Sequence, residues 1–380
     1  MKILHTVEFY EPCKGGAEEV VKQLSECLVA MGHDVTVATT VDKDRTPGKI
    51  NGVLVLSFDI SGNKVVGFRA GEGEIERYKN LLHEEDFDLI LNYAAQSWPT
   101  DLMYDELHSI KAKKILVPCG YSGLNDKKYK EYFEKLPDYL ARYNSLVYMS
   151  ENYQDKKFGD EHGFSDKGIV IPNGVSMQEF DNKRTYWHFP GLNKIKTERI
   201  AISISNHYKK KGHSFVIKAF KMMGRKDTTL AIIGQLPSGR GLKKIAHIVL
   251  DYWHCWLMSI LNRRIKLVSG RDREMVLGAY AAADVFLFGS EVECAPLVTY
   301  EAMASNVVFI TRPVGNVLDH KDYIKIVKTP VQMAQVANDV LDNEEARQMI
   351  VAKAREYCEK NHNWAKIVKQ YESLYNTVLE

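Results

Sequence analysis

The sequence predicts an α/β protein of two doubly wound, Rossmann-like domains facing each other across a cleft. Three observations predict it. Short apolar runs alternate with longer amphipathic segments along the whole chain, the pattern of parallel βαβ units. The alternation pauses once, at Pro172-Asn173-Gly174 and the polar stretch 178–197, and then restarts. At 380 residues, 45% of them hydrophobic, the chain is long enough to build two cores.

In the first half, strands are predicted at 3–7, 35–39, 53–58, 89–93, 115–118, 146–149 and 169–171. Each run is too short for a helix and rich in aliphatic or β-branched residues. A helix over 17–31 joins the first two, because Val20, Val21, Leu24 and Leu28 recur at helical spacing. After the pause, strands follow at 200–204, 230–233, 265–268, 285–288 and 307–310, and from Val331 onward the pattern is helical. The domains are therefore expected at 1–172 and 173–362. Doubly wound sheets bind ligands at the carboxyl ends of their strands, which directs attention to the loops there.

Composition narrows the function. A net charge of +2 implies no field for nucleic acid. The six cysteines show no CxxC or CxxH spacing, which argues against zinc and against a disulfide framework, and makes a reducing, cytoplasmic location the expectation. MKILHTVEF reads as a first strand and not a signal peptide, and no apolar run reaches the length of a membrane span. Only Gly15-Gly16 follows the first strand, so the dinucleotide fingerprint fails. Gly239-Arg240-Gly241 lacks its third glycine, and Walker A, HExxH and GxSxG are absent.

The densest chemistry lies in SEVECAPLVTYEAMASN, residues 290–306. Pro296 stands at the expected first position of a helix, and the amides of Leu297 and Val298 would be unpaired there and able to bind an anion. Glu293 and Glu301 flank that helix start with seven residues between them. Acids beside exposed amides suit a hydroxyl-rich, phosphate-bearing ligand such as a nucleotide sugar. The plainer alternative is an exposed helix glutamate and a first-turn charge favoured by the helix dipole.

KGGAEEVV near the N-terminus, VYMSENY and VIPNGVSMQEF in the middle, KKKGHSFVIKAF, ADVFLFGSEVECAPLVTYEAMAS and the late Trp364 occur in order along nearly the whole chain. In this the chain resembles glycosyltransferase family 4. The resemblance implies retaining transferases of the two-domain GT-B fold that use nucleotide-diphosphate sugars without a bound metal or other cofactor. It also implies that a last helix, 363–380, crosses back to the N-terminal, acceptor-side domain, leaving the C-terminal domain to bind the donor.

By resemblance, Lys211 meets the donor diphosphate, Glu293 the sugar hydroxyls and Glu301 the ribose, with Lys211 and Glu293 as the catalytic residues. A solvated basic loop is the alternative for Lys211, because Lys209 and Lys210 adjoin it. Gly15 and Gly16 would let the backbone approach the donor or acceptor, although a tight strand-to-helix turn needs glycine equally. Asn173 is a donor contact or a hinge residue. Two departures stand out: Asn206 occupies the position, five before Lys211, where the family usually has arginine, with His207, Lys209 and Lys210 near enough to compensate. VPCGYSG also lacks the family's histidine, leaving Tyr121 as a candidate acceptor contact.

The run IAHIVLDYWHCWLMSIL, between Lys243-Lys244 and Arg263-Arg264, suits a membrane headgroup region through Trp253 and Trp256, or else a core helix or dimer contact. Basic clusters at 111–114 and 127–128 would add to membrane attraction if they shared a face. The expected activity is hexosyl transfer to a glycan or lipid-linked acceptor, in polysaccharide or glycolipid synthesis at the inner face of a membrane. The alternatives are a nucleotide-sugar epimerase of the same fold and a catalytically impaired sugar-nucleotide-binding subunit.

Overall fold

The structure, a computed structural model, describes residues 1–181, 188–236, 248–270 and 272–380. Gly239-Arg240-Gly241 and Lys243-Lys244 lie outside the described residues. The chain divides into two compact units, Met1–Gly174 with Trp364–Glu380, and Val175–Asn363. Asn173 and Gly174 thus belong to the first unit, two residues beyond the expected boundary.

The first unit is built on an eight-stranded sheet in the order Gly168–Val170, Ser145–Tyr148, Lys113–Val117, Leu89–Tyr93, Lys2–Thr6, Asp34–Thr40, Val53–Phe58, Gly48–Ile50. All pairs are parallel except the last. The order reverses between Lys2–Thr6 and Leu89–Tyr93, where Ile3 lies opposite Leu89. Ile3, Leu4, Val37, Ile90 and Leu91 are all fully buried, as expected of parallel strands covered on both faces. His5 sits in the middle of the first strand. Its Nδ1 pairs with Ser25 Oγ at 2.8 Å on the helix Gly16–Ala30, and its Nε2 with Tyr375 Oη at 3.1 Å on the helix Trp364–Leu379. One buried imidazole therefore ties both helices to the strand, and burial lowers its pKa to about 3.

Two features of this unit escape the sequence pattern. Gly48–Ile50 adds an antiparallel edge, and Ile60–Asn63 pairs with Gly67–Ala70 in a hairpin. Gly62 has φ 97°, and a β-carbon there would overlap the carbonyl of Gly67, so the hairpin needs glycine at this position.

The second unit carries a six-stranded, all-parallel sheet in the order Ile265–Ser269, Thr228–Gly234, Arg199–Ile204, Val285–Phe288, Val308–Thr311, Lys325–Ile326. From Arg199–Ile204 the chain winds one way for two strands, then returns and winds the other way. The switch point lies between Arg199–Ile204 and Val285–Phe288, and the loops leaving their carboxyl ends meet there. The tail is helical as expected, in Pro330–Asp342, Glu344–His362 and Trp364–Leu379, the first opened by a capping box of Thr329 and Gln332.

Candidate functional site

The two loops at the switch point of the second sheet are held together by backbone. Glu291 donates its amide to the carbonyl of Lys210 at 2.8 Å. Gly212 has φ 68°, and a methyl on Gly212 would overlap the Gly289 carbonyl while one on Gly289 would overlap the Gly212 carbonyl. Glycine at both positions is what allows the loops to touch. The contact sets the lysine turn Lys209–Lys211 beside the loop that carries Glu293. Lys209 and Lys210 are exposed, whereas Lys211 is half-buried and places Nζ 2.7 Å from Glu293 Oε1. Of the three lysines in the expected basic loop, only Lys211 is directed at an acid of 290–306.

The helix Leu297–Ala304 follows directly. Pro296 is its N-cap and not, as expected, its first helical residue, with φ −68° and ψ 121°. No side chain caps the helix, so the amides of Leu297 and Val298 have no acceptor within it. The preceding loop is fixed from behind. Asn316 donates its amide to Cys294 O at 2.8 Å, and Gly315, with φ 57°, lies so close that a β-carbon would overlap the same carbonyl.

Glu301 lies one turn inside this helix with both carboxylate oxygens engaged. Arg273 Nη1 donates to Oε1 at 2.6 Å and Tyr280 Oη to Oε2 at 2.8 Å. Arg273 also donates through Nη2 to Glu179 Oε2 at 2.6 Å and lies over the Phe180 ring. One guanidinium is thus shared by two acids. Each Glu301 oxygen keeps a second lone pair, enough to accept from a pair of hydroxyls. Arg273 and Tyr280 were missed in the sequence. They stand seven apart on the helix Arg273–Ala282, two turns along one face, and that spacing was the available signal.

Asn206 Oδ1 accepts from the Gln235 amide at 3.3 Å, tying its loop to the end of the neighbouring strand. His207 does not stand in for the missing arginine, because its buried ring is bonded to Asp251.

In the first unit Gly15 is the N-cap of Gly16–Ala30 with extended backbone, φ −160°, and neither Gly15 nor Gly16 is left-handed. The turn therefore does not require glycine. A β-carbon on Gly16 would meet nothing within 4 Å, and one on Gly15 only the carboxylate end of Glu18. Sequence reasoning passed over Glu8, two residues beyond the first strand Lys2–Thr6. Burial, and then the charges of Glu18 and Asp101, raise its pKa to about 7. Burial likewise lifts Asp101 to about 6, although Tyr132 Oη and the Lys64 amide donate to it. Asn173 is buried.

Tyr121 corrects an expectation. Cys119 and Gly120 are both left-handed, and the Gly120 amide donates to Asp155 Oδ2 at 2.8 Å, which turns the next residue inward. Tyr121 is fully buried, edge-on to Phe133 and Phe158, and is a core residue and not an acceptor contact. Lys114 is likewise removed from the basic cluster at 111–114, buried with Nζ donating to the carbonyls of Ile110 and Ala112.

The aromatic segment is not a core helix. In Trp253–Leu261 only Cys255 is buried, while Trp253 is 58% and Leu261 69% exposed, and Trp256, Leu257 and Ile260 share that apolar face. Among the described residues no helix is long and apolar enough to cross a membrane.

Comparison with known proteins supplies the family. Residues 14–179 match the family described as Glycosyltransferase Family 4, and residues 188–357 the one described as Glycosyl transferases group 1. The chain is 19% identical, over 98% of its length and 82% of the relative's, to the phosphatidylinositol N-acetylglucosaminyltransferase GPI3 subunit of Saccharomyces cerevisiae. It is 30% identical to the N-acetyl-alpha-D-glucosaminyl L-malate synthase of Bacillus anthracis, over 48% of this chain and 47% of that one. Its fold matches that of Anabaena HepE, solved in complex with UDP-glucose, with a TM-score of 0.78 at 14% identity, covering 99% of this chain and 100% of HepE. The architecture is GT-B.

Proposed function

This chain belongs to the group 1 glycosyltransferases of family 4, and on that premise we propose that it moves a hexosyl group from a nucleotide-diphosphate sugar to a hydroxyl acceptor with retention of configuration. The observation that carries the reading is the Lys211–Glu293 pair at the switch point, beside the uncapped start of Leu297–Ala304.

The donor's phosphates would lie against the amides of Leu297 and Val298, with Glu301 accepting from the ribose hydroxyls and Glu293 from the sugar. Lys211 would offset the charge that develops on the leaving phosphate, so the reaction needs no metal. The transition state is oxocarbenium-like. The bond from C1 to the phosphate oxygen breaks, and the acceptor oxygen bonds C1 on the same face. The acceptor's proton passes to the departing phosphate, so no enzymic nucleophile is required. Asn206 would line the donor, and Pro296 sets the helix start; in the first unit Gly15, Gly16 and Asn173 would let a ligand approach the backbone closely.

Both curated relatives are named for N-acetylglucosaminyl chemistry, and HepE was solved with a uridine nucleotide sugar. These names favour a uridine-diphosphate hexose or N-acetylhexosamine as donor. A lipid-linked or glycan acceptor at the inner face of a membrane accords with the exposed apolar face around Trp253 and Trp256, which would rest among headgroups. Radiolabelled UDP-hexoses incubated with and without membrane lipid extract test the reading. Label moving into the lipid phase supports transfer. A changed free nucleotide sugar would mean epimerisation, and binding without either product would mean an impaired subunit.

A further inference from the structure

Four side chains that can each ligate a metal converge inside the second unit: His207, His213, Asp251 and Cys255. One ligand atom from each lies within 4.8 Å of the others. All four residues are at most 3% exposed. They come from separate parts of the fold. His207 is in the loop after Arg199–Ile204, His213 opens the helix His213–Met223, Asp251 lies in the π-helical turn Ile248–Tyr252, and Cys255 stands four residues on in Trp253–Leu261.

Asp251 Oδ2 is the focus, 2.9 Å from His207 Nδ1 and 2.7 Å from His213 Nδ1. His213 Nε2 is 2.8 Å from Ser205 Oγ. With its proton on Nε2, donated to that hydroxyl, His213 turns the lone pair of Nδ1 inward, the outer hydrogen bond by which proteins orient a metal-bound imidazole. Charge favours a dication at the centre. A carboxylate and a thiolate with two neutral imidazoles around M²⁺ sum to zero, so the set can hold a dication without net charge in an apolar interior. Two nitrogens, one oxygen and one sulfur in a closed, buried set of four suit zinc and not magnesium or calcium. Tetrahedral ligation at about 2.0–2.3 Å holds ligand atoms about 3.3–3.7 Å apart, so the two imidazoles need to move outward from the carboxylate by roughly 0.4–1.0 Å.

We infer that His207, His213, Asp251 and Cys255 form a structural zinc site that clamps the aromatic segment onto the donor-side sheet. Trp253–Leu261 buries only one of its own residues, Cys255, so a bond from that thiolate supplies an anchor that its exposed apolar face does not. The ligand pattern H-x5-H with D-x3-C lies outside the CxxC and CxxH spacings by which zinc was argued against in the sequence. The ion has a fixing role and takes no part in transfer, so the inference stands or falls separately from the proposed activity.

The test uses the full chain, purified without chelator. Elemental analysis should find about one zinc per chain. Removing metal with a strong chelator should lower Tm by several degrees, and zinc alone should restore it. Cobalt(II) in place of zinc should give the intense visible bands of a tetrahedral site and a thiolate charge-transfer band. Cys255→Ser should abolish that band and weaken zinc binding at least 10-fold. The cobalt spectrum of the unmutated chain is decisive even if Cys255→Ser does not fold. Zinc at only a small fraction of the chain concentration, with no change in Tm on adding it and no cobalt thiolate band, would overturn the site and leave a metal-free hydrogen-bonded triad.

Discussion

Lys211 Nζ lies 2.7 Å from Glu293 Oε1, across the switch point of the second sheet, so cation and acid are already paired before a ligand arrives. On the proposed reading, a diphosphate entering there would take over part of the lysine's charge and free the glutamate for hydroxyls. Lys211→Met should therefore lower kcat by about 10²–10³, the size of effect seen when a preorganised charge is removed from a transition state. The pair is partly exposed, so its loss should change stability by about 1 kcal/mol or less. Steady-state kinetics with urea unfolding separates the two, and an unchanged kcat would remove Lys211 from the chemistry.

Arg273 bridges Glu301 and Glu179. Arg273→Met leaves two carboxylates without their shared cation. Because Arg273 is itself more than a third exposed, the expected cost is about 1–2 kcal/mol, less than for a fully buried pair. Tyr280→Phe, which removes a single donor to Glu301, should cost about 1 kcal/mol. Urea midpoints at unchanged m-value check both.

Gly289→Ala drives a methyl into the Gly212 carbonyl. The loops must part, at a cost of roughly 1–3 kcal/mol, and Lys211 moves away from Glu293. Weakened donor binding should accompany the loss of stability. Normal affinity in a destabilised variant would show that the loop contact does not position the lysine.

These residues show which parts of the molecule could be read in advance. The strand Val285–Phe288 was legible to the residue because a parallel sheet covered on both faces leaves an unbroken apolar run. Glu293, Glu301 and Lys211 stood out as candidates because they belong to motifs of fixed local spacing, and the fold sets Lys211 against Glu293. Arg273, Tyr280 and Glu179 were not, because their partners are distant in sequence and only the fold brings them together. Tyr121 was misread for a related reason: the left-handed Cys119-Gly120 pair that turns it inward leaves no mark in hydrophobic periodicity. The residues of the inferred zinc site were hidden in the same way, since His213 and Asp251 are adjacent only after folding.

Glu8 titrates near 7 in the fold, raised from an ordinary value of 4.5, so the folded state holds a proton that the unfolded chain releases. Its contribution to stability is thus fully present at and below pH 4.5 and is lost as pH rises toward 7. Glu8→Gln should leave stability at pH 5 nearly unchanged and raise it at pH 8, by about 2 kcal/mol after allowance for partial exposure. Unfolding curves at the two pH values check this; a variant no more stable than the parent at pH 8 would show that the fold does not raise the Glu8 pKa.

The apolar face of Trp253–Leu261 is solvent-exposed. Trp253→Ser with Trp256→Ser should reduce cosedimentation with anionic vesicles about 10-fold or more, while activity on a short water-soluble acceptor persists. Equal vesicle binding by parent and variant would remove the membrane from the proposal.

The most direct test of the donor site is calorimetric titration of the parent and Glu301→Ala with uridine and guanosine diphosphate hexoses. The parent should bind one of them at a single site, and Glu301→Ala, still folded by circular dichroism, should bind it at least about 10-fold more weakly, as expected when a charged acceptor of hydrogen bonds is removed. Equal affinity in the two proteins would contradict the assignment of Leu297–Ala304 and its flanking acids as the place where the nucleotide sugar is held.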